Sequence, residues 1–319
     1  MPDRAEATGI ERALPYLRCP VCMRGISLFD GPGAGSSVAC PVGHTFDIAR
    51  QGYLSLLTAG DSTGTGDSTA MVEAREAFLT RGFYDRIARA VSEAIPAEAI
   101  PVNGISTGAM STGAMSIGTH ELCVDLGGGT GFYLTRVLAD HPRLAGITLD
   151  LSAVASRRAA RAHPRASAIR ANVWSPIPIM DGKASHVLSI FSPRNMPEIR
   201  RILAPGGSFV MVTPTPQHLV ELVERLHLVS VDDRKQERLD AQLAGFERLS
   251  HSRQHYQVQL DRTDILAAIL MGPSARHVDP AELAERVATI PEPFGVTVSV
   301  DVAAYSPSAM TEAEGRMGE

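Results

Sequence analysis

From residue 121 onward, short apolar runs alternate with segments of helical periodicity. Residues 121–126 (Glu-Leu-Cys-Val-Asp-Leu) are nearly continuously apolar over the length of a strand, as in a parallel strand buried on both faces. Comparable runs follow at 145–149, 167–171, 184–191 and 208–213. Between them, 130–138, 153–163 and 197–203 read as helices, the last stopped by Pro205-Gly-Gly207. Strands and helices in this order predict an α/β domain with a doubly wound sheet. Residues 256–260 and 296–302 are expected to close that sheet as an antiparallel pair. Upstream, 71–80 reads as an amphipathic helix broken at Gly82, and a second helix runs from Tyr84 through Ala94. Residues 58–68, rich in Gly, Ser and Thr, predict a mobile connector. In 104–118 the pentapeptide Ser-Thr-Gly-Ala-Met occurs twice in tandem, without core periodicity, and predicts a disordered surface insertion.

The first strand of the α/β domain runs into Gly127-Gly-Gly-Thr-Gly131 and then a helix. Such a turn aims backbone N–H groups and a helix N-terminus at a ligand. Dinucleotide sites use G-x-G-x-x-G, but Phe132 stands where the third glycine belongs. The G-x-G-x-G spacing instead resembles the first motif of class I S-adenosyl-L-methionine (SAM) methyltransferases. Asp150 ends the next strand, about twenty residues past the turn, where an acid takes the ribose hydroxyls; the alternative is a cap on the helix that follows. Asn172 ends the third strand, at the position that hydrogen-bonds adenine in those methyltransferases, or serves as a turn residue. The loop Ser192-Pro-Arg-Asn195 after the fourth strand should face the reacting methyl group.

Composition bounds the class. The 319 residues, 44% hydrophobic with a net charge of −5, leave room for one sizeable α/β domain and a small appendage. That charge excludes indiscriminate nucleic-acid binding, so any RNA contact must come from local patches. Arg157, Arg158, Arg161, Arg165 and Arg170 offer either such a patch or a solvated helix face. No run has the length of a membrane span, and the first residues lack a signal peptide. A cytoplasmic protein without membrane contact is expected.

The N-terminal segment contains Cys19-Pro-Val-Cys22 and Cys40-Pro-Val-Gly-His44, a C-x2-C-x17-C-x3-H pattern. Two tight knuckles bring Cys19, Cys22, Cys40 and His44 within reach of one tetrahedral zinc ion, closed and therefore structural. Short strands over 23–29 and 37–39 would complete a zinc ribbon, with 46–57 docking onto the next domain. The fourth cysteine, Cys123, reads as core.

Taken together the chain resembles the zinc-ribbon 23S rRNA (guanine-N1)-methyltransferases from Leu17 to about Tyr305, apart from the repeat insertion. The residues that carry the resemblance are the two knuckles, Thr45-Phe-Asp47, Arg50-Gln-Gly-Tyr-Leu54, Pro193-Arg-Asn195, Thr213-Pro followed by His218, and Met271-Gly-Pro273. The Gly-Gly-Gly-Thr-Gly turn, where the housekeeping branch usually has Gly-Cys-Gly-Glu-Gly, is similar to the branch of macrolide producers that is named for guanine 748. The resemblance implies a Rossmann-like class I SAM methyltransferase fold with an N-terminal zinc ribbon. Residues 1–57 would form the ribbon domain, 58–118 the linker, helices and insertion, and 119–319 the methyltransferase domain. It implies SAM contacts from Tyr84 and His218, and from Gly129 and Thr130 at the methionine moiety. With the turn and the acidic positions, the expected cofactor set is Tyr84, Asp125, Gly127, Gly129, Thr130, Asp150, Asn172 and His218. The implied substrate is a 23S rRNA hairpin in domain II, the assembly a homodimer, and the consequence resistance to tylosin- or mycinamicin-type macrolides. No catalytic base is identified. Two other readings stand beside this one: a SAM enzyme acting on a small molecule or protein, with the ribbon as a docking module, and a non-enzymatic zinc-ribbon nucleic-acid binder.

Overall fold

The computed structural model describes residues 9–29, 37–61, 66–96, 121–228, 239 and 241–308. The tandem repeat and residues 62–65 of the connector lie outside them. The chain begins with a short helix, α1 (Gly9–Ala13), and a 3₁₀ turn (Leu14–Tyr16). Three short antiparallel strands follow, β1 (Ser27–Leu28), β2 (Ser37–Ala39) and β3 (Thr45–Asp47). They form the ribbon expected around the two knuckles, with a third strand added directly after His44.

A two-residue strand, β4 (Leu54–Ser55), then leaves the ribbon, and two helices follow, α2 (Thr69–Thr80) and α3 (Asp85–Glu93). Ser68 caps α2, its Oγ accepting from Met71 N–H at 3.2 Å. The α/β unit runs β5 (Glu121–Leu126), α4 (Phe132–Asp140), β6 (Leu144–Asp150), α5 (Ala153–Ala159), β7 (Ala166–Arg170), β8 (Ala184–Ile190), α6 (Met196–Ile202) and β9 (Leu203–Pro214). After α7 (Val220–Leu226) come β10 (Phe246–Leu260), α8 (Arg262–Leu270), α9 (Pro280–Ala288) and β11 (Phe294–Pro307).

Eight strands make one sheet in the order β10-β11-β9-β8-β5-β6-β7-β4. The pairs from β9 to β4 are parallel, and β11 runs antiparallel to both β9 and β10. The order turns back between β5 and β8, so the crevice at the carboxyl ends of these strands is where a ligand belongs. This is the doubly wound α/β sheet that the alternating runs predict, in the form that the family resemblance implies. The closing pair is much longer than 256–260 and 296–302, with Phe246 already paired to Pro307.

The pleat divides β5 between two cores. Leu122, Val124 and Leu126 face one layer, and Cys123 faces the other with Leu134, Val137 and Leu138 of α4. The first layer also contains Leu17, Cys19, Val38, Cys40, Leu54 and Leu56, so the ribbon and the sheet share one hydrophobic core. Backbone pairing reinforces this joint: Arg18 N–H donates to Pro178 O at 3.1 Å, and Leu54 pairs with Ile169 of β7. Arg18 also bonds Asp181 at 3.0 Å, and Arg201 bonds both Asp181 and Glu198 at 2.6 Å.

The arginines at 157–170 divide in the structure. Arg158 pairs with Glu76 of α2 at 2.7 Å, and Arg170 donates to Leu151 O at 3.0 Å. Arg165 caps the end of α4, donating to the carbonyls of His141 (3.0 Å), Pro142 (3.1 Å), Leu144 and Leu138. Arg157 and Arg161 are exposed. Arg165→Ala is therefore expected to lower unfolding free energy in urea by about 2–4 kcal/mol, because several carbonyls lose a charged donor. An unchanged urea midpoint, with weakened RNA binding, would reassign Arg165 to the substrate surface.

Candidate active site and metal centre

The two knuckles fold as local turns. Met23 N–H returns to Cys19 O at 2.9 Å, and Gly43 N–H to Cys40 O at 2.9 Å. They gather Cys19, Cys22, Cys40 and His44 so that all four ligand atoms lie within 4.8 Å of one another. Cys22 Sγ is 3.5 Å from Cys40 Sγ, and His44 Nδ1 is 3.4 Å from Cys40 Sγ and 3.6 Å from Cys19 Sγ. A tetrahedral ion with bonds of about 2.3 Å would set sulfur ligands about 3.8 Å apart. Three thiols and one imidazole at these separations suit zinc, with no position left for substrate.

The second site lies at the crevice between β5 and β8. All eight residues of the expected cofactor set line one cavity of about 660 Å³. The glycine turn is pinned to the next strand by Gly127 N–H, which donates to Leu149 O at 2.8 Å. Gly128 packs directly on Thr148 Oγ1 and the Asp125 carboxylate, leaving no room for a Cβ. Gly129 adopts φ +58°, a left-handed conformation natural to glycine, and its N–H donates to Asp150 Oδ2 at 2.9 Å. The helix α5 is capped by Ser152, not by Asp150; Asp150 accepts from Ser152 N–H at 2.8 Å and lines the cavity. Asn172 holds its own turn, its Oδ1 accepting from Trp174 N–H at 3.0 Å, while it too lines the cavity.

Tyr84 and His218 come from distant parts of the chain and meet here. Ser299 N–H donates to His218 Nδ1 at 3.2 Å, which puts the ring proton of the neutral histidine on Nε2. Nε2–H then donates to Tyr84 Oη at 3.1 Å, and the tyrosine keeps its own O–H to donate. Burial raises the Tyr84 pKa, so that proton stays in place.

The floor of the cavity is acidic. Asp125 is 1% exposed, and neither carboxylate oxygen has a hydrogen-bond partner among the described residues. Burial, and secondarily the charge of Asp150, pushes its carboxyl up to about 7. Burial likewise raises Asp150, against the hydrogen bonds from Ser152 and Gly129 that favour its charged form. An unpartnered buried carboxylate, a second acid with backbone bonds, and a donating tyrosine fit a cationic, hydroxyl-bearing ligand such as SAM.

Other residues reach the cavity without a local sequence signal. Arg75 of α2 pairs with Asp67 and donates to Met271 O at 2.8 Å, drawing both segments over the glycine turn. The Met271-Gly-Pro273 motif thus forms part of the wall, although no function attaches to it from spacing alone. Trp174 and Phe191 stand exposed at the same cavity. The 192–195 loop lies against the turn, where Ser192 Oγ donates to Leu126 O at 2.5 Å. In this loop Arg194 lines the cavity with its Nε buried and without a partner among the described residues.

Comparison with known proteins gives the family. The zinc-ribbon family described as RlmA, N-terminal, matches residues 17–61. The chain is 43% identical to a Micromonospora griseorubida protein assigned as a 23S rRNA (guanine-N(1)-)-methyltransferase, over 92% of this chain and 98% of that one. It is 42% identical to the 23S rRNA (guanine(748)-N(1))-methyltransferase of Streptomyces fradiae, over 89% of this chain and 94% of that one. The Bacillus subtilis protein YxjB, also assigned as a 23S rRNA (guanine-N(1)-)-methyltransferase, is 29% identical over 89% and 94%. With such identity across nearly the whole of both chains, a zinc-ligand cluster and a glycine-turn cavity, this chain belongs to the 23S rRNA (guanine-N1)-methyltransferase family.

Proposed function

We propose that this protein transfers a methyl group from SAM to N1 of a guanosine in a hairpin loop of 23S rRNA domain II. The target is the guanosine at 748, and its methylation confers resistance to macrolides of the tylosin and mycinamicin type. The observation that carries the target is the 42% identity to the Streptomyces fradiae enzyme named for that guanine. The reading also fits a protein working in the cytoplasm as a homodimer. Among the described residues no helix is long and apolar enough to cross a membrane.

SAM supplies a methyl group on a positively charged sulfur, which leaves as a neutral sulfide. The chain's task is to hold that group in line with guanine N1 and to keep water away. Gly129 and Thr130 would hold the methionine end near the Asp125 carboxylate, while Tyr84 would donate its O–H, whose direction His218 fixes. Asp150 would accept from the ribose hydroxyls, and Asn172 would hold the adenine end. Guanine N1 carries a proton at neutral pH, so as the N1–methyl bond forms the sulfur–methyl bond would break with its electron pair staying on sulfur, and the N1 proton would pass to solvent water at the mouth of the cavity. Arg194 would bond O6 of the guanine and stabilise the negative charge that deprotonation leaves. A hairpin loop presents the base at small unstacking cost.

The test is methyl transfer from labelled SAM to unmodified 23S rRNA, with the product located by primer extension, which N1 methylation halts. A single stop at guanosine 748, with raised tylosin tolerance in cells making the protein, is expected. SAM binding without rRNA labelling would overturn the reading and redirect it to a small-molecule or protein substrate.

A further inference from the structure

Phe191 follows β8 with φ +54°, a left-handed conformation that bulky residues rarely adopt. Backbone strain of this kind persists where the surrounding structure enforces it, and it clusters at functional sites. Burial does not explain it here, because the side chain is 41% exposed. The ring stacks on His218, with centroids 5.8 Å apart and planes at 21°, and lies 6.0 Å from the Tyr84 ring. Tyr84 is itself fixed against Phe78 at 5.0 Å, edge to face. Phe191 is thus a rigid aromatic surface, backed by two rings and open toward the cavity.

Its place in the sheet separates it from Asp150 and Asn172, the residues proposed to hold the nucleoside half of the cofactor. Asp150 and Asn172 follow β6 and β7 on one side of the glycine turn, and Phe191 follows β8 on the other. Six large apolar side chains are exposed among the described residues, and only Phe191 and Trp174 of these line the cavity. Trp174 is 63% exposed, and its carbonyl accepts from Asn195 Nδ2 at 3.2 Å, which ties it to the 192–195 loop.

We infer that Phe191 is the surface on which the extruded guanine stacks, with Trp174 as a second aromatic wall at the mouth. The inference rests on the methyltransferase reading above and assigns the base a place within it. A base leaving a hairpin loses its stacking neighbours, and an aromatic ring replaces them whatever the base. Stacking therefore supplies position, and Arg194 on the guanine edge supplies the choice of base.

Wild-type methyl transfer to the hairpin is measured first, since its absence would overturn the function reading itself. With the wild type active, Phe191→Leu is expected to lower kcat/KM for the RNA on the order of 10- to 100-fold. Its SAM dissociation constant should stay within twofold, because leucine still covers the His218 ring, and Phe191→Tyr should restore RNA turnover. Trp174 is the only tryptophan in the chain, so its emission offers a readout without mutation. Quenching by the hairpin in protein saturated with S-adenosylhomocysteine, absent when the target guanosine is abasic, is the expected result. Phe191→Leu turnover within twofold of wild type, or an equal loss of SAM binding, would overturn the stacking role. Quenching by S-adenosylhomocysteine alone, with no further change on adding RNA, would remove Trp174 from the base site.

Discussion

Removing the metal from Cys19, Cys22, Cys40 and His44 is expected to lower the thermal unfolding midpoint of the whole protein by roughly 10 °C. A ribbon of this size cannot bury enough apolar surface by itself, so metal binding supplies its folding free energy. In this fold the loss does not stay in the ribbon. Leu17, Val38, Leu54 and Leu56 pack in the same core as Val124, Ile147 and Ile169 of the sheet. Releasing even two or three of these side chains exposes surface worth about 5 kcal/mol. It also frees Leu54 and Ser55 from the edge of β7 and uncovers the Arg18 ion pairs with Asp181 and Glu198. Circular dichroism melts before and after chelation, with zinc content measured on both samples, decide the matter; Cys40→Ser should reproduce the drop. A midpoint that survives complete zinc removal would mean that the shared core holds the ribbon without its metal.

The readable part of this protein is the part in which function follows from local order. The knuckles carry their ligands at fixed spacing, and the strands of the parallel sheet are apolar runs because both of their faces are covered. Strand β10 is legible only over its last five residues, because 247–253 are exposed edge positions with no apolar alternation to announce them. Strand β4 is two residues long, too short to have a period, and joins the sheet through packing that begins about 100 residues later in the chain at β7. The cavity's outer wall is invisible for a similar reason. Arg75 matters because Asp67 and Met271 come to it in space, and Phe191 because its backbone is forced to positive φ at the end of an ordinary apolar strand. Arg165 is the converse case: one member of a basic cluster in sequence becomes a helix cap when the carbonyls of α4 arrive.

Asp125→Asn should stabilise the cofactor-free protein at pH 8 and at the same time weaken SAM binding at least tenfold. The Asp125 carboxyl is raised from its usual 3.8 to about 7 by burial, and further by the nearby Asp150 carboxylate. A carboxyl raised on folding binds its proton more tightly in the native state than in the unfolded chain. Native protein therefore holds the extra proton between about pH 4 and 7, and stability contributed by the neutral form is lost as pH rises through that window. The full penalty above it is on the order of 4 kcal/mol, at about 1.4 kcal/mol for each tenfold change in proton affinity. Asparagine fills the same space without a charge, so the variant's stability should be flat where the wild type's declines. The cost would appear on binding, because the cationic sulfonium and ammonium of SAM would then lie near a buried amide in place of a buried, unpartnered carboxylate. Linkage requires the wild type to bind SAM more tightly as pH rises toward 8, and the variant to lose most of that dependence. Urea unfolding across pH 5 to 8, paired with calorimetric SAM titrations, reads both effects. A variant that is less stable at pH 8, or one that binds SAM as the wild type does, would show that the carboxylate at 125 holds the turn rather than the cofactor.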